Sequence, residues 1–251
     1  MSGGADGPGW FRDALAEKPT EHSVLHDGIR VAYLRWGDHN DDGIKPPLVL
    51  LHGSFAHAHW WDFIAPQLAD DFAVVAIDLP GCGDSDHAQA YSVTLFGECV
   101  MTVLDDARLR WRGAGSRRPK PFLVGHSFGA RVCLQVGGVC PDELGGVVAL
   151  DCVILPRPGP GRENGPAVRS RERYAATQAD VVARFRLKPP QPCDNAFLVR
   201  HIANKSVRYF EGKGWGFKFD RSWLDKIEPE DGHARTGLMR ACRSRLAWVY
   251  G

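Results

Sequence analysis

At 251 residues, 44% apolar and 24% charged, the chain is long enough for one large α/β domain with a full core. Its formal net charge of +1 offers no electrostatic case for nucleic acid or an anionic membrane as partner, and no run of about 18 apolar residues exists to cross a bilayer. Seven cysteines without a secretion signal are expected as free thiols in a reducing, cytoplasmic setting, and none has metal-site spacing.

The opening MSGGADGPGW is Gly-rich and lacks the apolar core of a signal peptide, so residues 1–24 are expected as a flexible tail. RVAYLRWG (30–37) reads as a strand, paired with HSVLHDG before it through a turn near Asp27–Gly28. PLVLLHG (47–53) is a continuous apolar run ending in Gly, the pattern of a strand buried on both faces. HWWDFIAPQLAD follows with helical period, which Pro66 kinks or delays. FAVVAIDLPG (72–81) is a second buried strand, 94–109 a helix and PFLVGHS a third strand. FGARVCLQVGGVCPDEL is a helix that stops around Gly137, Gly138 and Pro141, and GGVVALD (145–151) is a fourth strand. This alternation predicts a doubly wound, mostly parallel sheet with a core over 25–153. PRPGPGRENGP then breaks the pattern, and 154–240 reads as an inserted helical segment. RLAWVYG (245–251) returns to the core as one more buried strand. The basic run at Arg117, Arg118 and Lys120 reads as a solvated loop face.

Gly125-His126-Ser127-Phe128-Gly129 fits G-x-S-x-G, placed after a strand and before a helix. A serine on so tight a turn is lifted off the sheet, and glycines at 125 and 129 avoid a Cβ collision with the neighbouring helix or strand. Ser127 is therefore the candidate nucleophile. The N–H of Phe128 opens the helix, where the dipole favours negative charge. The loop His52-Gly53-Ser54-Phe55 can aim a second N–H, that of Ser54, at the same oxyanion. His52 reads as structural in that loop, as do Asp78 and Ser85 in DLPGCGDSD. His126 is expected to point away from the cleft. His57 and His59 pack or line the pocket, with Trp60 and Trp61 as candidate pocket walls.

HGSF, DLPGCGDS and GHSFGA arrive in order on three successive strands. In this the chain resembles the α/β-hydrolase superfamily, near its esterase, lipase, haloperoxidase and carbon–carbon hydrolase members, over roughly 25–153 and 243–251. The resemblance implies an α/β-hydrolase fold with residues 154–240 as a cap that shapes substrate choice. It implies a serine hydrolase acting on an ester or related acyl bond of a small, largely apolar substrate, with no cofactor and no metal. Carbon–carbon hydrolysis, cofactor-free perhydrolysis and a non-catalytic binding protein remain alternatives. Ser127 in the nucleophile position, instead of an aspartate, speaks against epoxide or haloalkane chemistry. In the family the acid follows the strand after the cap and the histidine lies further on. Here 241–251 looks like that seventh strand, so the chain is expected to be truncated before both, without the last strand and helix. Asp151, at the fourth strand's end, is an alternative acid. No catalytic histidine is identified: His201 reads as part of a cap helix and His233 as a surface loop. In the cap, Phe185, Phe197, Trp215 and Phe217 line a pocket or pack. Arg200, Lys205 and Arg208 read as a solvated helical face.

Overall fold

The computed structural model describes residues 7–37, 45–116, 118–152, 173–188, 190–228 and 232–250. Helix α1 (Gly9–Ala16) precedes the hairpin of β1 (Thr20–His26) and β2 (Ile29–Trp36). Its two turn residues, Asp27 and Gly28, both have positive φ, as a two-residue hairpin turn requires. β3 (Pro47–Leu51) leads to a 3-10 turn at Ala58–Trp61 and to the short α2 (Ala65–Leu68), with Pro66 in its first turn. The helical pattern of 59–70 is thus split at the proline, which cannot donate an interior helix bond. β4 (Ala73–Ile77) follows. Then comes α3 (Val93–Asp106), whose first turn is capped by the Ser92 hydroxyl accepting from the Leu95 N–H at 3.0 Å. β5 (Phe122–His126), α4 (Phe128–Val139) and β6 (Gly146–Leu150) complete the first core segment.

Beyond the connector, most of which (153–172) lies outside the described residues, come α5 (Gln178–Val182) and α6 (Ala196–Lys205). The antiparallel pair β7 (Val207–Phe210) and β8 (Gly214–Phe217) and the short α7 (Trp223–Lys226) follow. Helix α8 (Gly232–Ala241) and strand β9 (Leu246–Val249) close the described chain. The seven strands of the main sheet run in the order β1-β2-β4-β3-β5-β6-β9. β1, β2 and β4 pair antiparallel; every other pairing is parallel. β3 and β4 are buried along their whole length, which is why both read as unbroken apolar runs. One face packs on α3 and α4 through residues such as Val100, Leu104 and Leu134. The other holds Trp36, Leu48, Trp61 and Ala65.

Four expectations need correction. Residues 9–24 are not a tail: Phe11 is buried and seats α1 between Phe197, at 4.8 Å between ring centres, and Phe63 at 5.8 Å. The Gly-rich opening conceals this because the aromatic partner that buries α1 sits almost 190 residues away, in α6. The insert is not purely helical, since β7 and β8 form a hairpin; short Gly-rich strands carry too little periodicity to declare themselves. α8 belongs with the core: a Cβ at Gly138 of α4 would lie 3.1 Å from the Ala241 carbonyl. Finally, β9 is not buried. It pairs only with β6 among the described strands, and Leu246 and Val249 are 39% and 54% exposed, as on an edge.

The corner between β5 and α4 sets the tightest backbone contact. A Cβ on Gly125 would fall onto the Ala130 nitrogen and the Gly129 carbonyl. Gly125→Ala is expected to cost about 3 kcal/mol or more in denaturant unfolding. Gly115→Ala, where a Cβ meets nothing within 4 Å, should stay within about 0.5 kcal/mol. Equal effects at the two positions would refute a tight corner.

Candidate active site

Ser127 sits between β5 and α4 with φ 52° and ψ −111°, a conformation that an L-residue holds only when its surroundings impose it. Its N–H donates to the Leu150 carbonyl of β6 at 2.9 Å, and its carbonyl accepts from Ala130 at 3.2 Å. Gly129 presses on β3, since a Cβ there would lie 2.6 Å from the carbonyl oxygens of both Leu51 and His52. Strand, corner and helix therefore lock together, with Ser127 half-buried at the carboxyl ends of the parallel strands.

The loop after β3 meets this corner directly. A Cβ on Gly53 would lie 3.3 Å from the Ser127 Cβ and 2.9 Å from His126 Nδ1. His52 is buried and holds the loop from behind: its Nε2 accepts the Leu79 N–H at 3.1 Å, so its Nδ1–H donates to the Gly53 carbonyl at 2.7 Å. The same carbonyl accepts from Ala56 at 3.2 Å. Phe55, at φ 61°, turns the loop, and its N–H donates to the buried Cys82 sulfur. Within the described residues, neither the Ser54 N–H nor the Phe128 N–H donates to a hydrogen bond. Phe128 follows Ser127 and opens a helix of 12 residues, and Ser54 follows Gly53, which packs against Ser127.

Asp151 follows Leu150 with φ 43°, and its side chain is exposed. Its charge raises the pKa of half-buried His126, although burial outweighs it and holds that imidazole below its ordinary value. His126 Nδ1 lies beside Gly53, 2.9 Å from where a Cβ there would sit. No described residue is hydrogen-bonded to the Ser127 hydroxyl, and the histidines nearby have other partners. His57 Nε2 bonds to Ser206 Oγ at 2.8 Å; because that hydroxyl donates to the Ile202 carbonyl at 2.7 Å, His57 must donate to it. His59 Nδ1 and His201 Nε2 both donate to Asp62, at 3.0 Å and 2.9 Å. His201 does lie on a helix of the insert, as expected, yet it reaches into the core. His233 lies in α8, not in a loop. Trp61 packs under the sheet and is not a pocket wall. Arg208 lies on β7 with its guanidinium 4.6 Å from the centre of the Phe210 ring, apart from the face of α6 that carries Arg200 and Lys205. Among the described residues, no His, Cys, Asp or Glu cluster could hold a metal, and no helix is long and apolar enough to cross a membrane.

Three residues that organise this region escaped sequence reasoning. Asp78, read there as structural, binds the Ala58 and Asp84 N–H groups at 2.6 and 2.8 Å; the unrecognised ones are Asp62, Asp220 and Trp223. Asp220 accepts from Tyr91 at 2.8 Å, Lys226 at 2.8 Å and Ser222 at 2.6 Å. Burial would raise its pKa, but those donors hold the carboxyl well below the usual range. The D-x-S pattern of Asp220-Arg221-Ser222 was the readable signal, a local turn that opens α7. Trp223 is buried edge-on against Phe128 at 5.0 Å and Phe55 at 5.5 Å. One indole from the insert thus braces the residues on both sides of the corner.

A family model described as the alpha/beta hydrolase family matches residues 48–248. The dihydrolipoyllysine-residue acetyltransferase component of the acetoin cleaving system of Pseudomonas putida is 36% identical over 112 residues, 44% of this chain and 28% of the relative. An esterase of Mycobacterium tuberculosis is 32% identical over 123 residues, 48% of this chain and 36% of the relative. The chain thus covers well under half the length of these curated relatives. Among solved structures, the thioesterase domain from the curacin biosynthetic pathway has a TM-score of 0.69 at 19% identity, covering 93% of this chain and 83% of that one, a likeness of fold.

Two measurements check the bracing and the buried histidines. Trp223→Ala should cost about 3–5 kcal/mol in unfolding, from lost ring packing; a loss under about 1 kcal/mol would show that Trp223 braces nothing. Burial pushes the His52 imidazole from 6.5 down to about 4 and holds that of His57 well below its ordinary value. The unfolded chain then binds more protons than the fold as pH falls from 6.5 toward 4, so stability is lost across that window. Asp78, pushed by burial from 3.8 up to about 6, acts in the opposite direction, but it is one group against two. The urea midpoint should therefore be lower at pH 4.5 than at pH 7, and an equal or higher midpoint would contradict this balance.

Proposed function

The chain belongs to the alpha/beta hydrolase family, and on that premise we propose that it is a serine hydrolase cleaving an ester or related acyl bond of a small, largely apolar substrate. One observation carries the reading: Ser127 is held at positive φ at the start of α4, with Gly53 of the loop after β3 packed against it. In this mechanism Ser127 Oγ attacks the acyl carbonyl and its proton passes to a base. The resulting oxyanion is held by the Ser54 and Phe128 N–H groups until the alcohol leaves, and water then releases the acid from Ser127. No cofactor takes part. The esterase of Mycobacterium tuberculosis supports the ester over other acyl bonds.

Among the described histidines, His52 has both ring nitrogens bonded, and His57, His59 and His201 are each bonded to a side chain other than Ser127. Asp151, beside His126 at the end of β6, is an alternative acid. Among the described residues no histidine is bonded to the Ser127 hydroxyl, so this reading assigns the nucleophile and the oxyanion donors and leaves the base unassigned. Its free thiols suit the cytoplasm.

A fluorophosphonate probe should label Ser127, and added imidazole should speed labelling by about tenfold or more by supplying the base in solution. Ser127→Ala should abolish it. Equal labelling of Ser127→Ala would overturn the assignment of the nucleophile. Absence of labelling with or without imidazole would favour the second reading, a hydrolase-like protein that binds its ligand without turning it over, which the committed histidines also support.

A further inference from the structure

Among the described strands, the main sheet ends on one side at β1 and on the other at β9. The two edges differ in chemistry. β1 opens with Thr20, Glu21, His22 and Ser23, all exposed and polar, as natural edges that resist pairing do. β9 and the residue after it read LAWVY, with neither a charge nor a proline. Leu246, Val249 and Tyr250 are 39%, 54% and 76% exposed, and Ala247 is exposed between them. Trp, Val and Tyr favour strands, and nothing in this run guards the edge.

The backbone of β9 is aimed in two directions. The Arg245 and Val249 carbonyls accept from Val147 and Asp151, at 2.8 and 2.7 Å, so these residues face β6. Successive residues of a strand turn their backbone groups to opposite sides, so the N–H and C=O groups of Leu246, Trp248 and Tyr250 point away from β6. A two-fold axis perpendicular to the sheet joins two copies of one edge antiparallel and keeps each side chain on its own face. Set at Trp248, that axis pairs Trp248 with its own copy and Leu246 with Tyr250 of the second copy, through the groups aimed outward. Each facing pair is then apolar: Leu246 meets Tyr250, and Ala247 meets Val249. The formal net charge of +1 adds little repulsion between copies.

We propose that β9 is a self-association edge, at which a second copy of this chain adds its own β9 antiparallel and continues the main sheet. The edges left outside are then two copies of the polar β1, so the assembly stops at a dimer and does not grow into a filament. A pair of four-residue strands is small beside the roughly 1,200–2,000 Å² of a stable interface, so the dimer exchanges reversibly with the monomer. The edge goes beyond the Ser127 chemistry and does not depend on it.

Sedimentation equilibrium of the 251-residue chain should show a reversible monomer–dimer exchange as concentration rises. Tyr250→Pro removes an outward N–H at an exposed position, and by symmetry two bonds per dimer, so the dissociation constant should rise about tenfold or more. Leu246→Lys places on β9 the charge that natural edges carry and should weaken the dimer similarly. Amide exchange of the wild type is a second readout that needs no variant: the Leu246, Trp248 and Tyr250 N–H groups should be open in the monomer and gain protection in the dimer. The proposal is overturned if the chain stays monomeric up to about 1 mM, if open-ended species form in place of a dimer, or if both variants associate as the wild type does. Protection of these N–H groups in the monomer would mean that another segment of the chain covers the edge, and would overturn it too.

Discussion

The first turn of α4 lies so close to the carboxyl end of β3 that the carbonyls of Leu51 and His52 leave Gly129 no room for a Cβ. Much follows from that approach. The helix can begin only if the chain turns within one residue of β5, so Gly125 must also lack a side chain and Ser127 must take a positive φ. The loop leaving β3 passes Ser127, which puts Gly53 against it. A strained residue costs about 1–3 kcal/mol and persists only where the packing over-determines it. Here two strands, one helix and a glycine loop do so together.

The insert is part of that packing and not simply a cover over it. Asp62, in the segment after β3, accepts from His59 of its own segment and from His201 of α6. Burial would raise the Asp62 pKa, yet the two imidazoles hold it at about 2. His57 reaches Ser206 at the end of α6, Lys218 reaches Asp84 at 2.6 Å, and Tyr91 reaches Asp220. With Trp223 wedged against Phe55 and Phe128, these polar links tie the insert to each loop that shapes the corner. A buried polar group left without its partner costs about 1–3 kcal/mol, so such links also fix one arrangement of insert on core.

The core was readable because its physics is local. Continuous apolar runs mark β3 and β4, the Asp27–Gly28 turn marks the hairpin, and G-x-S-x-G marks a corner that only glycines can make. What was unreadable depends on distant partners. α1 is a helix because Phe11 finds Phe197, and nothing near residue 11 announces residue 197. Trp61 looks like a pocket wall next to HGSF, yet the split at Pro66 turns it under the sheet. Trp223 follows the Asp220-x-Ser222 turn, which marks the start of α7 but not the indole's partner, and its role exists only once α7 is laid on Phe128. β9 has the apolar run of a buried strand, but burial is set by what lies beside a strand and not by its own sequence.

The histidines sharpen the chemistry by elimination. A general base must offer an unprotonated ring nitrogen to the hydroxyl and carry a proton in the next instant, which calls for a pKa near the working pH. His52 fails on both counts: its nitrogens are taken by Leu79 and Gly53, and burial holds it near 4. His57 has a nitrogen with no described partner, Nδ1, but it is buried, and its pKa is driven well below the ordinary value, first by burial and then by its charged neighbours. His59 and His201 are turned toward a carboxylate that is not shared with Ser127. His126 lies closest to Ser127, but its ring is held against Gly53 on the loop side. The corner is built into this chain, whereas His52, His57, His59 and His201 each tie a loop or the insert in place.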